Sequence, residues 1–193
     1  MSGHDLRAVV MGASSGALDA LSAILPTLPE NYPLPIMIVV HLPPNKDSLL
    51  TTILGAKCKM KVREAEDKET IQAGTIYVAP PGYHLLVEQN QTLSLSNEEE
   101  INFSRPSIDV LFETAADAYG NTLAGIILTG ANDDGAAGLQ AIMAAGGVTI
   151  IQEPDQAFSP FMPKAALQAC PSARVLSLEM IAIYLNSTAD KYN

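Results

Sequence analysis

Residues 8–18, Ala8-Val9-Val10-Met11-Gly12-Ala13-Ser14-Ser15-Gly16-Ala17-Leu18, decide the fold. A short apolar run enters a small, glycine-flanked turn, and beyond it Ala17, Leu18, Leu21, Ile24, Leu25 and Leu28 recur at helical spacing. A buried strand feeding a helix in this way is the opening unit of a parallel sheet. The pattern returns twice. Ile36-Met37-Ile38-Val39-Val40 runs into His41-Leu42-Pro43-Pro44, and Gly125-Ile126-Ile127-Leu128 runs into Thr129-Gly130-Ala131-Asn132-Asp133-Asp134-Gly135. A serine, a histidine and an acid therefore each follow a predicted buried strand. In open α/β sheets that carboxyl edge is where ligands bind, and these three residue types are the ones that activate a serine nucleophile.

The 193 residues suffice for one substantial core, and 48% hydrophobic against 17% charged content describes a folded chain. No apolar run approaches the roughly 20 residues of a spanning helix. Met1-Ser2-Gly3-His4-Asp5 lacks the basic and apolar regions of a signal peptide, so the expected location is the cytoplasm. Cys58 and Cys170 have no metal-ligand spacing and read as two reduced thiols. A net charge of −10 argues against nucleic acid and against an anionic membrane surface as partners.

Strand and helix signals alternate along the chain, which predicts a doubly wound three-layer α/β sandwich with a mostly parallel sheet. Pro26 and Pro29 end the first helix, while Asp47 or Ser48 could cap a short second helix closed by Gly55. From Lys59 to Glu69 the chain is dense in charge. Thr75 to Val78 reads as a strand, and Tyr83–Glu88 and Thr92–Ser96 flank Gln89-Asn90-Gln91 as an antiparallel hairpin. A helix follows Arg105-Pro106-Ser107 with Ile108, Leu111, Phe112, Ala115 and Tyr119 inward, and another begins near Asp134 and stops at Gly146-Gly147. Val148 to Gln152 is a further strand; Pro160 and Pro163 precede a helix over 164–169, and Ser177 caps a last one. Neither a repeat nor a flexible linker interrupts residues 1–193, which read as one domain.

Ser14 lies where the first unpaired N–H groups of a helix could receive an oxyanion, with the Ser15 N–H as first candidate. The same glycine-flanked turn could instead cradle a phosphate, and Ser15 could serve only as a helix cap. His41 is the one histidine placed to act as a base, since His4 sits near the terminus and His84 falls in the hairpin as a surface or packing residue. Its ring is expected within about 3.5 Å of the Ser14 hydroxyl. Asp134 would orient His41, with Asp133 as competitor; its alternative role is a favourable charge at a helix start.

With these residues in place, the chain resembles the catalytic domain of the CheB chemotaxis methylesterases over nearly its full length. The resemblance rests on Gly12-Ala13-Ser14-Ser15-Gly16, His41-Leu42-Pro43-Pro44, Arg105-Pro106-Ser107-Ile108-Asp109-Val110-Leu111-Phe112, Ile127-Leu128-Thr129-Gly130, Asp134-Gly135-Ala136-Ala137-Gly138 and Met162-Pro163. It implies a Ser14–His41–Asp134 triad that hydrolyses γ-glutamyl methyl esters on methyl-accepting chemoreceptor signalling domains, with glutamine deamidation as a second activity. No cofactor and no metal are implied, and oligomeric state is not specified. Because the pattern starts within the first residues, a stand-alone member without a receiver domain is expected. Residues 129–134 read Thr-Gly-Ala-Asn-Asp-Asp where the family typically has Thr-Gly-Met-Gly-x-Asp. Ser15 and Ala131 are the oxyanion candidates. Arg105 either shapes the substrate surface or bonds backbone carbonyls. Two rivals stand beside this reading, a non-catalytic receptor-docking or anion-binding module and a serine hydrolase of a different ester or amide.

Overall fold

The computed structural model describes residues 5–41 and 49–191. In chain order its elements are β1 (Ala8–Ala13), α1 (Ala17–Ile24), β2 (Ile36–Val40), α2 (Leu49–Lys57), β3 (Lys61–Glu64), β4 (Thr75–Val78), β5 (His84–Val87) and β6 (Leu93–Ser96). There follow α3 (Ile108–Tyr119), β7 (Leu123–Ile127), α4 (Ala136–Ala144), β8 (Val148–Gln152), α5 (Phe161–Ala169), β9 (Arg174–Leu176) and α6 (Leu178–Ala189).

Seven strands form one sheet in the order β3-β4-β2-β1-β7-β8-β9, and every pairing in it is parallel. β5 and β6 form the expected antiparallel hairpin apart from it. The chain leaves β1 toward β2 on one side and later returns to lay β7 on the other. β1 is thus the point where strand order reverses, and the carboxyl end of such a strand is where open α/β sheets bind ligands.

Successive side chains on a strand point to opposite faces, and both faces here are covered. Val9, Met11 and Ala13 join Ile36 and Ile38 against Leu21, Ile24, Leu54, Ile181 and Leu185 of α1, α2 and α6. Ala8, Val10, Met37 and Val39 pack instead against Ile108, Leu111 and Phe112 of α3, Leu139 and Ile142 of α4, and the hairpin residues Leu85 and Leu93. Central strands buried on both faces read as continuous apolar runs, which is why β1, β2 and β7 are visible in the sequence.

Several boundaries differ from expectation for identifiable reasons. α2 runs through Gly55 to Lys57 instead of closing at the glycine, and the Asp47 or Ser48 cap lies outside the described residues, as do Leu42, Pro43 and Pro44. The charged stretch contains β3, an edge strand on which Lys61 and Glu64 are exposed. α5 starts at Phe161, with Pro163 inside its first turn, where a helix needs no N–H from that residue. Gly146 ends α4 as expected: the Gly147 N–H donates to Ile142 O at 2.9 Å and the Gly146 N–H to Met143 O at 3.0 Å, the paired bonds of a Schellman cap. Ser177 caps α6, accepting from the Met180 N–H at 3.2 Å. Among the described residues, no helix is long and apolar enough to cross a membrane.

Candidate active site

Backbone pairing alone brings the serine and histidine to one level of the sheet edge. Ala13 of β1 is in register with Val40 of β2, and the His41 N–H donates to Ala13 O at 3.2 Å. From the other side, the Ser14 N–H donates to Thr129 O at 2.9 Å. Ser14 therefore sits between His41 and the Thr129–Gly135 loop.

The turn after Ser14 corrects one expectation. The N-cap of α1 is Gly16, at φ 84° in the left-handed region, with no side-chain cap, so Ser15 is not the helix cap. An alanine at Gly16 would be strained there, and its Cβ would lie 2.7 Å from Phe158 Cβ. Ser15 is exposed, and its carbonyl accepts from Thr129 Oγ1 at 2.8 Å. Among the described residues, the Ser15 and Gly16 N–H groups have no protein acceptor, as an oxyanion site requires.

His41 and Asp134 form a close pair. His41 Nε2–H donates to Asp134 Oδ2 at 2.6 Å, with the histidine side chain 11% exposed and the aspartate fully buried. Asp133 is exposed on the loop, and Asp134 takes the place beside the ring. What holds Asp134 is the start of α3. Its Oδ2 also accepts from the Ile108 N–H at 2.7 Å, while Oδ1 accepts from the Asp109 N–H at 3.1 Å and Ser107 Oγ at 2.9 Å. Asp134, from the loop before α4, thus satisfies orphan amides of α3. Asp109 returns the arrangement: its Oδ1 accepts from Gly135 N–H at 2.9 Å and Gly138 N–H at 2.7 Å at the start of α4. A side chain at Gly138 would collide with Asp109 and Phe112, so this close approach of α3 and α4 needs glycine there.

Two carboxylates this near cannot ionise equally. Burial pushes Asp134 upward, but hydrogen bonds from His41 and from the Ile108 and Asp109 N–H groups outweigh it and hold its carboxyl below the usual range. Asp109 is pushed up to about 6, mainly by burial and partly by the charge of Asp134, against the hydrogen bonds it accepts. Asn102 bridges the pair, donating from Nδ2 to Asp109 Oδ2 at 2.8 Å and to Asp134 Oδ1 at 3.2 Å.

The remaining predicted residues divide. Arg105 takes its structural role: Nη1 donates to Asn97 O at 3.0 Å and Glu98 O at 2.8 Å. His84 is a packing residue and not a surface one, being 2% exposed. Its Nδ1 accepts from the Ser107 N–H at 3.1 Å, and Nε2–H donates to Glu99 O at 2.9 Å. Ala131 is exposed beside Gly130, whose backbone is tied to Ser159 and Met162. The expected hydrogen bond between Ser14 Oγ and His41 is not among those the described residues make. His41 Nδ1 instead accepts from Asn132 Nδ2 at 3.2 Å. Asn102, Ser107, Asp109 and Asn132 were not predicted as site residues. Ser107 and Asp109 fall in the Arg105–Phe112 motif and Asn132 is the departure in the loop, neither of which reveals a contact by itself, and Asn102 carries no signal in the sequence.

A parallel sheet with helices on both faces, with serine, histidine and aspartate following adjacent strands, defines the class: a doubly wound α/β protein whose candidate site lies at the carboxyl edge of its sheet. The CheB methylesterase family model matches residues 9–185. A relative from Leptospira interrogans is 50% identical over 176 residues, covering 91% of each chain. A protein-glutamate methylesterase/protein-glutamine glutaminase of Archaeoglobus fulgidus is 37% identical over 163 residues, 83% of this chain but 47% of that protein. The Thermotoga maritima CheB methylesterase catalytic domain superposes with a TM-score of 0.89 at 32% identity, covering 94% of this chain and 98% of that one. The chain belongs to the CheB methylesterase family.

Proposed function

We propose that the chain hydrolyses γ-glutamyl methyl esters on chemoreceptor signalling domains, using Ser14 as nucleophile, His41 as general base and Asp134 as its orienting acid. The observation that carries this reading is the buried Asp134 accepting from His41 Nε2 at 2.6 Å, one strand away from Ser14. That bond leaves Nδ1 with the lone pair, as a base needs. Ser14 Oγ attacks the ester carbonyl while Nδ1 takes its proton; Asp134 stabilises the imidazolium. The Ser15 N–H, with Ala131 N–H from the facing loop, receives the oxyanion. One such donor is worth roughly 3–4 kcal/mol. The proton then passes to the leaving methoxide, methanol departs, and water, deprotonated by His41, cleaves the acyl-serine to glutamate.

The surface around the site supports a protein substrate over a small ester. Three of the four phenylalanines are exposed, Phe103 at 99%, Phe158 at 81% and Phe161 at 57%. Phe158 lies against Gly16, and Phe103 follows Asn102, which bonds the carboxylate pair. Exposed apolar groups gathered near a site mark interaction surfaces. The same acyl chemistry would accept a receptor glutamine, with ammonia leaving, an activity carried in the relatives' names. One sheet joins both buried clusters, which favours a single catalytic domain, and the cytoplasm is the proposed compartment.

Mass spectrometry of a methylated receptor fragment tests the reading. Wild type is expected to convert each methyl ester to the acid, and Ser14→Ala to leave it intact. Conversion by Ser14→Ala at the wild-type rate would remove Ser14 from the mechanism.

A further inference from the structure

We infer that Asn132 caps the general base of the free protein and must release it before Ser14 can be activated; this rests on the triad reading above. Both ends of the Asn132 side chain are engaged. Its Oδ1 accepts from the Asp134 N–H at 3.2 Å, and its Nδ2 donates to His41 Nδ1 at 3.2 Å. The first bond fixes the second, because a reversed amide would set N–H groups against each other at Asp134. His41 is therefore held between an acceptor at Nε2 and a donor at Nδ1.

That arrangement has two consequences. The amide selects the tautomer with its lone pair on Nδ1, which is the competent base. It also occupies that lone pair, the same one the Ser14 hydroxyl must donate to. Once Nδ1 carries the serine proton it becomes a donor and cannot pair with the Asn132 NH2, which has no acceptor to offer. Turnover thus requires the amide to leave Nδ1 as Ser14 arrives, exchanging one hydrogen bond for another. Asn132 is a positioning residue and a brake on serine reactivity. Since a single neutral hydrogen bond must break before the Ser14 hydroxyl can donate to Nδ1, the brake is small, roughly two- to tenfold in rate.

Labelling by a fluorophosphonate reads this step without a receptor. Ser14 Oγ forms a bond to phosphorus, fluoride leaves, and His41 takes the proton. Three variants separate the cap from the loop. Asn132→Ser keeps an acceptor for the Asp134 N–H but is too short to reach His41; Asn132→Ala removes both contacts. Asn132→Asp would hold Nδ1 protonated by offering it a carboxylate. The expected order is N132S and N132A faster than wild type by roughly two- to tenfold, N132D slower, and N132S unchanged in melting temperature. With the ester substrate, N132S should raise kcat and leave KM in place. N132S and N132A labelling no faster than wild type, or all three variants slowed together, would overturn the cap. Failure of the triad reading looks different: the label would then map away from Ser14 or persist in Ser14→Ala.

Discussion

Replacing Asp134 with asparagine removes one acceptor oxygen from a fully buried group, and the structure specifies what each orientation of the new amide loses. With nitrogen in the place of Oδ2, the Ile108 N–H loses its acceptor and His41 is forced into the opposite tautomer. With nitrogen in the place of Oδ1, the His41 bond survives, but the Asp109 N–H and Asn102 Nδ2 face a donor, and only Ser107 Oγ can adapt by accepting. Either way one buried backbone N–H is orphaned, at about 1–3 kcal/mol, and the charge that strengthened the remaining bonds is gone. The sum is roughly 2–5 kcal/mol of stability, or about 5–15 °C in Tm for a chain of this size. Turnover falls by at least about tenfold through loss of the counter-charge, and by about 10⁴-fold if the tautomer is wrong. The penalty also depends on pH. The depressed carboxyl contributes stability above its unfolded value near 4 and loses it as pH falls through the lower folded value. The gap between wild type and Asp134→Asn should therefore be full at pH 7 and shrink below about pH 4. Urea denaturation across pH, paired with ester turnover, reads both effects. A variant as stable as wild type at pH 7, with turnover within threefold, would refute the reasoning.

Asp109 makes the opposite prediction. Its folded value of about 6 is raised, so its contribution is fully present below the unfolded value near 4 and is lost as pH rises through 6. Urea midpoints should show a stability step between those values that disappears in Asp109→Asn; an identical step in the variant would assign it elsewhere. Gly16→Ala forces a side chain into the left-handed region and against Phe158, so it should cost about 1–2 kcal/mol in chemical denaturation and slow Ser14 labelling. An unchanged midpoint would mean the turn tolerates a Cβ. His84→Leu leaves the buried Ser107 N–H and Glu99 carbonyl unpaired. It should lower stability by roughly 2–5 kcal/mol, checked by thermal melts; a neutral effect would deny His84 its structural role.

The central architecture was legible because β1, β2 and β7 are buried on both faces and leave continuous apolar runs. The edge strands were not. β3 offers one apolar residue, Val62, among Lys61, Arg63 and Glu64, and β9 spans only Arg174 to Leu176. Ser14, His41 and Asp134 could be located because each follows a strand. The residues that hold them could not, since Asp109 reaches Gly135 and Gly138 by long-range pairing of two helix starts. Asn132 was visible as an unusual residue, but its contact with His41 exists only once β2 and the loop after β7 are brought together.

Methanol release from methylated receptor fragments, compared among wild type, Ser14→Ala, His41→Ala and the double variant, tests the account most directly. Residues acting as one unit are not additive. The account predicts that each single variant loses nearly all release and that the double variant is no worse than either. Additive losses, or a single variant that retains wild-type release, would contradict it.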